Sequence, residues 1–127
     1  MKIIKLKAPK LSKKQFNVLA SNRNVMDINK LQLEIAQQNA KLEEEPENAT
    51  LQFETTVNVI QKTISCLTKI LDLDEEQKKI LEEEYDNAEL FELSDFLYFR
   101  LYGLSEEDYK KLKESQSEEA SEGLEGA

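Results

Sequence analysis

Phe53, Val57, Ile60, Ile64, Leu67 and Leu71 follow one another at steps of four and three residues without a miss. That spacing returns every one of them to the same side of a 3.6-residue helix. Val59, Cys66, Ile70 and Leu73 widen the stripe on one flank. A stripe this wide is buried by more than one neighbour, so the segment reads as the central core helix. It spans fewer than three heptads, too short for a coiled coil. Three glycines and two prolines in 127 residues leave few turns. A sandwich or barrel needs one every ~8–12 residues, and an all-α domain is the expectation.

Residues 1–11 combine β-branched side chains with a proline and read as a short strand or an extended basic arm. Ser12 and Gln15 have the spacing of a capping box. Phe16, Leu19 and Ala20, then Ile28, Leu31, Ile35 and Leu42, extend the pattern to a long helix over Lys13–Glu43, loosened near Asn22–Asn24 by weak helix formers. Pro46 within the acidic run Glu43–Glu47 ends it, and Asn48 caps the next helix, which makes an antiparallel hairpin. Asp74 with Gln77 opens a short helix carrying Ile80, Leu81 and Tyr85. Asn87 is expected to cap an aromatic helix over Ala88–Tyr102, with Gly103 as its left-handed terminator and Leu104 behind it. Ser105 with Asp108 opens a last charged helix to about Glu114. Residues 115–127 lack periodicity and hold one large apolar residue, so a disordered acidic tail is expected after a single helical domain over 1–114.

Charge is unevenly spread. Residues 1–14 hold six lysines and no acid, and the formal net charge of −9 therefore leaves −15 on residues 15–127. Phosphate backbones are drawn to basic surfaces, and this body repels them. The lysine arm has none of the interleaved aromatics of a single-strand reader, so no nucleic acid is expected. Cys66 stands alone, which fits a reduced compartment without disulfides. The N-terminal lysines precede no apolar run of a signal peptide, and no stretch approaches the ~20 apolar residues of a membrane span.

Catalytic chemistry finds little to work with. The chain has no histidine, the commonest general base and zinc ligand. Cys66 lies mid-helix among apolar positions and reads as inert core. Asp72, Asp74 and Glu76 open like a calcium loop, but no glycine or closing glutamate follows. The Glu82–Glu84 run is a solvated face, and Glu106, Glu107 and Asp108 suit the positive end of a helix dipole. No catalytic, metal or cofactor site is expected, and the chain does not read as an enzyme.

The aromatic residues are the exception to this plainness. Seven of the nine lie between Tyr85 and Tyr109. On a helical wheel Leu90, Leu93, Leu97 and Leu101 form one stripe, Phe91, Tyr98 and Tyr102 lie together on another, and Phe96 and Phe99 flank a third. A helix in so small a domain rarely buries every face. Either it lies at the centre, or part of its surface meets another chain. The second choice makes Phe91, Tyr98 and Tyr102, with Phe96 and Phe99, the candidate partner-binding residues.

Three segments carry a family likeness: KIIKLKAPKLSKKQFNVLA at the start, TTVNVIQKTISCLTKILDLDEEQ in the middle and ELSDFLYFRLYGLSEEDYKK near the end. Together they resemble the tail assembly chaperones of long-tailed, siphovirus-type bacteriophages, in the small acidic helical form found in phages of Gram-positive hosts. The resemblance implies a protein of the host cytoplasm, absent from the mature virion. Such a protein binds the tape measure protein, keeps it soluble and assists polymerisation of the major tail protein around it. The other reading of the same chain is a self-assembling structural or adaptor protein, a homo-oligomer using the Phe53–Leu71 stripe as its seam.

Overall fold

The computed structural model describes the backbone of residues 1–125 and side chains through Ser115. Among the described residues the chain forms two strands, β1 (Ile3–Leu6) and β2 (Phe16–Leu19), then α1 (Asn22–Glu44), α2 (Ala49–Leu71), α3 (Glu75–Glu83), α4 (Asn87–Tyr102) and α5 (Glu106–Glu125). All but the first residue of the tail expected to be disordered, 115–127, lies outside the residues whose side chains are described.

The helical hairpin forms as its spacing requires. Asn48 caps α2 by accepting from the Leu51 N–H at 3.0 Å, and the turn before it is closed by the Glu45 N–H donating to the carbonyls of Lys41 and Leu42. Ile28 and Leu31 of α1 share one buried cluster with Ile64, Leu67, Ile70 and Leu71 of α2. Lys62–Glu34 at 3.2 Å and Lys69–Asp27 at 3.1 Å bridge the two helices at the surface. Such partly exposed pairs are worth at most about 1 kcal/mol each, so the apolar seam carries the hairpin. Helix α4 packs on both α1 and α2, and its Leu90, Leu97 and Leu101 complete the cluster.

The long first helix is corrected. Phe16–Leu19 is a strand, paired antiparallel with β1 in the register Ile3↔Leu19, Ile4↔Val18, Lys5↔Asn17 and Leu6↔Phe16. Alternation explains why: this pairing turns Ile4, Leu6 and Val18 together onto α2 and α4, and all three are buried. Ser12 forms no capping box; its hydroxyl accepts from the Lys14 N–H in the connecting loop. Helix α1 starts at Asn22, with the Ser21 hydroxyl accepting from the Asn24 N–H at 3.2 Å. The weak helix formers Asn22–Asn24 are therefore its first turn rather than a mid-helix bend, and the Asn24 side chain donates back to the Leu19 carbonyl at 2.8 Å.

The remaining signals need one adjustment. Asp74 and Gln77 form the expected capping box. Asp86, one residue before the expected Asn87, caps α4, accepting from the Glu89 N–H at 2.8 Å while the Glu89 carboxylate accepts from the Asp86 N–H. Gly103 adopts φ 114°, which an L side chain rarely does, and lets the Leu104 N–H reach the Phe99 carbonyl at 3.0 Å. Two contacts pin the β1–β2 loop onto the later helices: Gln77 Nε2 donates to the Leu11 carbonyl, and Lys10 pairs with Glu89.

Leu67 is wholly shielded and Phe53, on the same stripe, is 72% exposed. Leu67→Ala should cost roughly 2–5 kcal/mol in urea denaturation, and Phe53→Ala less than about 1 kcal/mol.

Candidate partner-binding surface

Helix α4 buries Leu90, Ser94, Leu97 and Leu101. Leu93, expected in that stripe, is half-buried at its edge, and Ser94 takes the inward position. The aromatics divide between two flanks. Phe96 and Phe99 face α5, where Tyr109 packs edge-on to Phe96 at 5.1 Å and tilted to Phe99 at 5.7 Å. Tyr109 is buried by this contact, so much of that flank is spent on anchoring α5. On the other flank the Tyr98 and Tyr102 rings lie 5.8 Å apart, Tyr98 half-buried and Tyr102 70% exposed.

Phe91, on the same flank about two turns toward the N-terminus, opens into a groove of about 450 Å3 between α1, α2 and α4. Ile35 and Leu42 of α1 and Val59 and Ile60 of α2 supply its other apolar walls. On α2 beside the groove-lining Thr55 and Thr56, Phe53 and Val57 are 72% and 52% exposed. They begin the stripe that the sequence assigns to the core, yet no helix covers them. Thr55, between them, points the other way, lines the groove beside α4 and is buried, so α4 reaches this level and Phe53 and Val57 lie on a side of α2 that it does not cover. That side is open here, leaving two apolar side chains that periodicity alone places inside. The same burial answers the oligomer seam: Ile64, Leu67 and Leu71 are consumed by the core, so the Phe53–Leu71 stripe offers only its first turns to another chain.

Titratable groups here serve structure. Burial pushes the Cys66 thiol up to about 11, with the Asp27 charge adding and Lys69 opposing, and its Sγ donates to the Asp27 carbonyl at 3.7 Å. Burial likewise pushes Tyr109 up to about 12, helped by Asp95 and Glu92. The hydrogen bond from Lys10 holds Glu89 below, and Lys10 above, their ordinary values. Asp72 takes the left-handed position that ends α2, and Asp74 is occupied as a cap. No group of three histidine, cysteine or acidic residues able to hold a metal occurs among the described residues.

The profile of the family described as phage tail assembly chaperone proteins, TAC, matches residues 4–116. The chain belongs to this family. The match runs from β1 into α5 and so takes in the hairpin, the aromatic helix and the tip groove alike. As a tail assembly chaperone the protein acts on protein partners of the phage tail, and exposed apolar surface suits such work. No individual curated protein and no solved structure matches it. No described helix of the chaperone is long and apolar enough to cross a membrane.

The raised Cys66 and Tyr109 values contribute to the chaperone's loss of stability at alkaline pH. Folded Cys66 and Tyr109 keep protons that the unfolded chain releases above its ordinary values of 9.0 and 10.0. Their contribution to stability is complete below the unfolded values and is lost as pH rises toward the folded ones. Urea midpoints should fall between about pH 9 and about pH 12, and Tyr109→Phe should flatten the upper part of that fall.

Proposed function

We propose that this chaperone binds the tape measure protein of a siphovirus-type phage of a Gram-positive host, keeps it soluble in the host cytoplasm and assists tail tube polymerisation, leaving before the virion matures. The observation that carries the reading is an uncovered apolar surface on a member of the tail assembly chaperone family. Phe53, Val57, Phe91, Tyr98 and Tyr102 expose apolar area along the hairpin tip and one flank of α4, on a body whose net charge of −15 keeps it soluble.

A long helical protein that aggregates when alone offers apolar stripes. Covering them gains about 25 cal/mol per Å2, and the ordering cost of association keeps the complex reversible. In this reading Tyr98, Tyr102 and Phe91 are the anchors. Phe96 and Phe99 take the lesser part, since Tyr109 already covers them in part.

Co-expression should raise the soluble yield of the tape measure protein, and equal precipitation with and without the chaperone would defeat the assignment. Tyr102→Ala should weaken the complex by about 1–3 kcal/mol while leaving the free protein's melting temperature nearly unchanged. Leu97→Ala should destabilise the free protein by about 2–5 kcal/mol. A Tyr102→Ala protein that unfolds as readily as Leu97→Ala would make the ring part of the core.

A further inference from the structure

The open side of α2 adjoins the tip groove. Ile60 lines the groove, and Val57 and Phe53, three and seven residues before it, fall on the same side of the helix. The groove walls are three helices, whose main-chain groups bond within each helix. They offer side-chain contact and no free strand edge, which suits a helix laid across them rather than an extended segment.

Charge around this surface is of one sign. Residues 42–61, the tip of the hairpin, hold Glu43, Glu44, Glu45, Glu47 and Glu54 and no lysine or arginine. All five glutamates are exposed, and none takes part in an ion pair among the described residues. Among the described residues, Asp95 is the one charged residue that lines the groove. The bases of neighbouring elements are committed or turned aside. Lys113 pairs with Asp95, Lys62 with Glu34 and Lys10 with Glu89. Lys41 lies roughly 100–160° around α1 from the groove-lining Ile35, Asn39 and Leu42. Like charges gathered at a turn repel one another, and a partner of opposite sign relieves them.

We propose that the hairpin tip selects a basic amphipathic helix of another protein, with its apolar stripe on Phe53, Val57 and Phe91 and lysine or arginine on the stripe's flanks. The selection presupposes that the tip is the partner-binding surface. Charge also sets aside the occupants this chain could supply. A second copy of the tip would bring glutamates against glutamates, and residues 116–127 hold four acids and no base. The six lysines in the first fourteen residues of a second copy have the right sign, but Ile4 and Leu6 beside them are buried in that copy's own core.

The test uses the full chain and capped eighteen-residue helical peptides with leucines at spacings of three and four. One carries lysine at the flanking positions, a second carries glutamate there, and a third scrambles the order of the first. At about 0.1 M salt the lysine peptide should bind roughly tenfold tighter than either control. That preference should shrink at about 1 M, where the screening length falls from about 10 Å to about 3 Å. Phe53→Ala removes an exposed ring and should weaken the lysine peptide roughly tenfold. Replacing Glu43, Glu47 and Glu54 together by Gln should weaken it roughly three- to tenfold. The same replacement at Glu76, Glu82 and Glu83, exposed on α3, changes net charge equally and should weaken it less than about twofold. Equal binding of the lysine and glutamate peptides would overturn the proposal, as would equal binding of the scrambled peptide or equal loss in the two triple variants. Self-association of the free chain that the tip variant abolishes would also overturn it, giving the surface to a second copy's lysine arm. The peptides carry no tape measure sequence, so their selectivity stands or falls apart from the co-expression result.

Discussion

Leu67 on α2 and Leu97 on α4 are both wholly shielded from solvent, and neither helix reaches that state alone. The apolar stripe of α2 is too wide for one partner, so α1 covers one side, α4 another, and the inner face of the β1–β2 pair a third. Everything peripheral is set by this shared burial. The hairpin's ion pairs, the caps at Ser21, Asn48, Asp74 and Asp86, and the left-handed Gly103 fix where elements begin and end, at about 1 kcal/mol apiece. The cluster decides which way they face.

What the sequence discloses follows from how local each cause is. The α2 stripe, the Asn48 cap, the Asp74–Gln77 box and the Gly103 terminator are encoded within a few residues, and all were legible. Strand β2 was not, because Phe16–Leu19 is four residues long and Ser12-Lys13-Lys14-Gln15 imitates a helix start. Its conformation is decided by pairing with Ile3–Leu6, ten and more residues away, which lets Ile4, Leu6 and Val18 share one face. Ser21 was overlooked as a cap for the same reason, since it matters only once the strand before it exists.

The surface was half legible. Composition showed more aromatic area than α4 could bury, and the wheel separated the leucine stripe from Phe91, Tyr98 and Tyr102. Tyr109 lay outside that wheel, and only the packing of α5 shows that it claims Phe96 and Phe99. Phe53 and Val57 were hidden in the opposite sense, being core by periodicity and exposed because that side of α2 has no neighbour over its first turns. Both misreadings arise where a neighbour's reach, rather than a helix's own pattern, settles exposure.

The account reduces to one claim: the chaperone holds its tail partner on the apolar surface its own core leaves uncovered. Hydrogen–deuterium exchange of the chaperone, free and in complex with the tape measure protein, tests it most directly. Protection should rise in the first turns of α2 around Phe53 and Val57 and in α4 from Phe91 to Tyr102, with α3 unchanged. Protection confined to α3 or to the outer face of α1, with the hairpin tip and α4 exchanging as in the free protein, would contradict it.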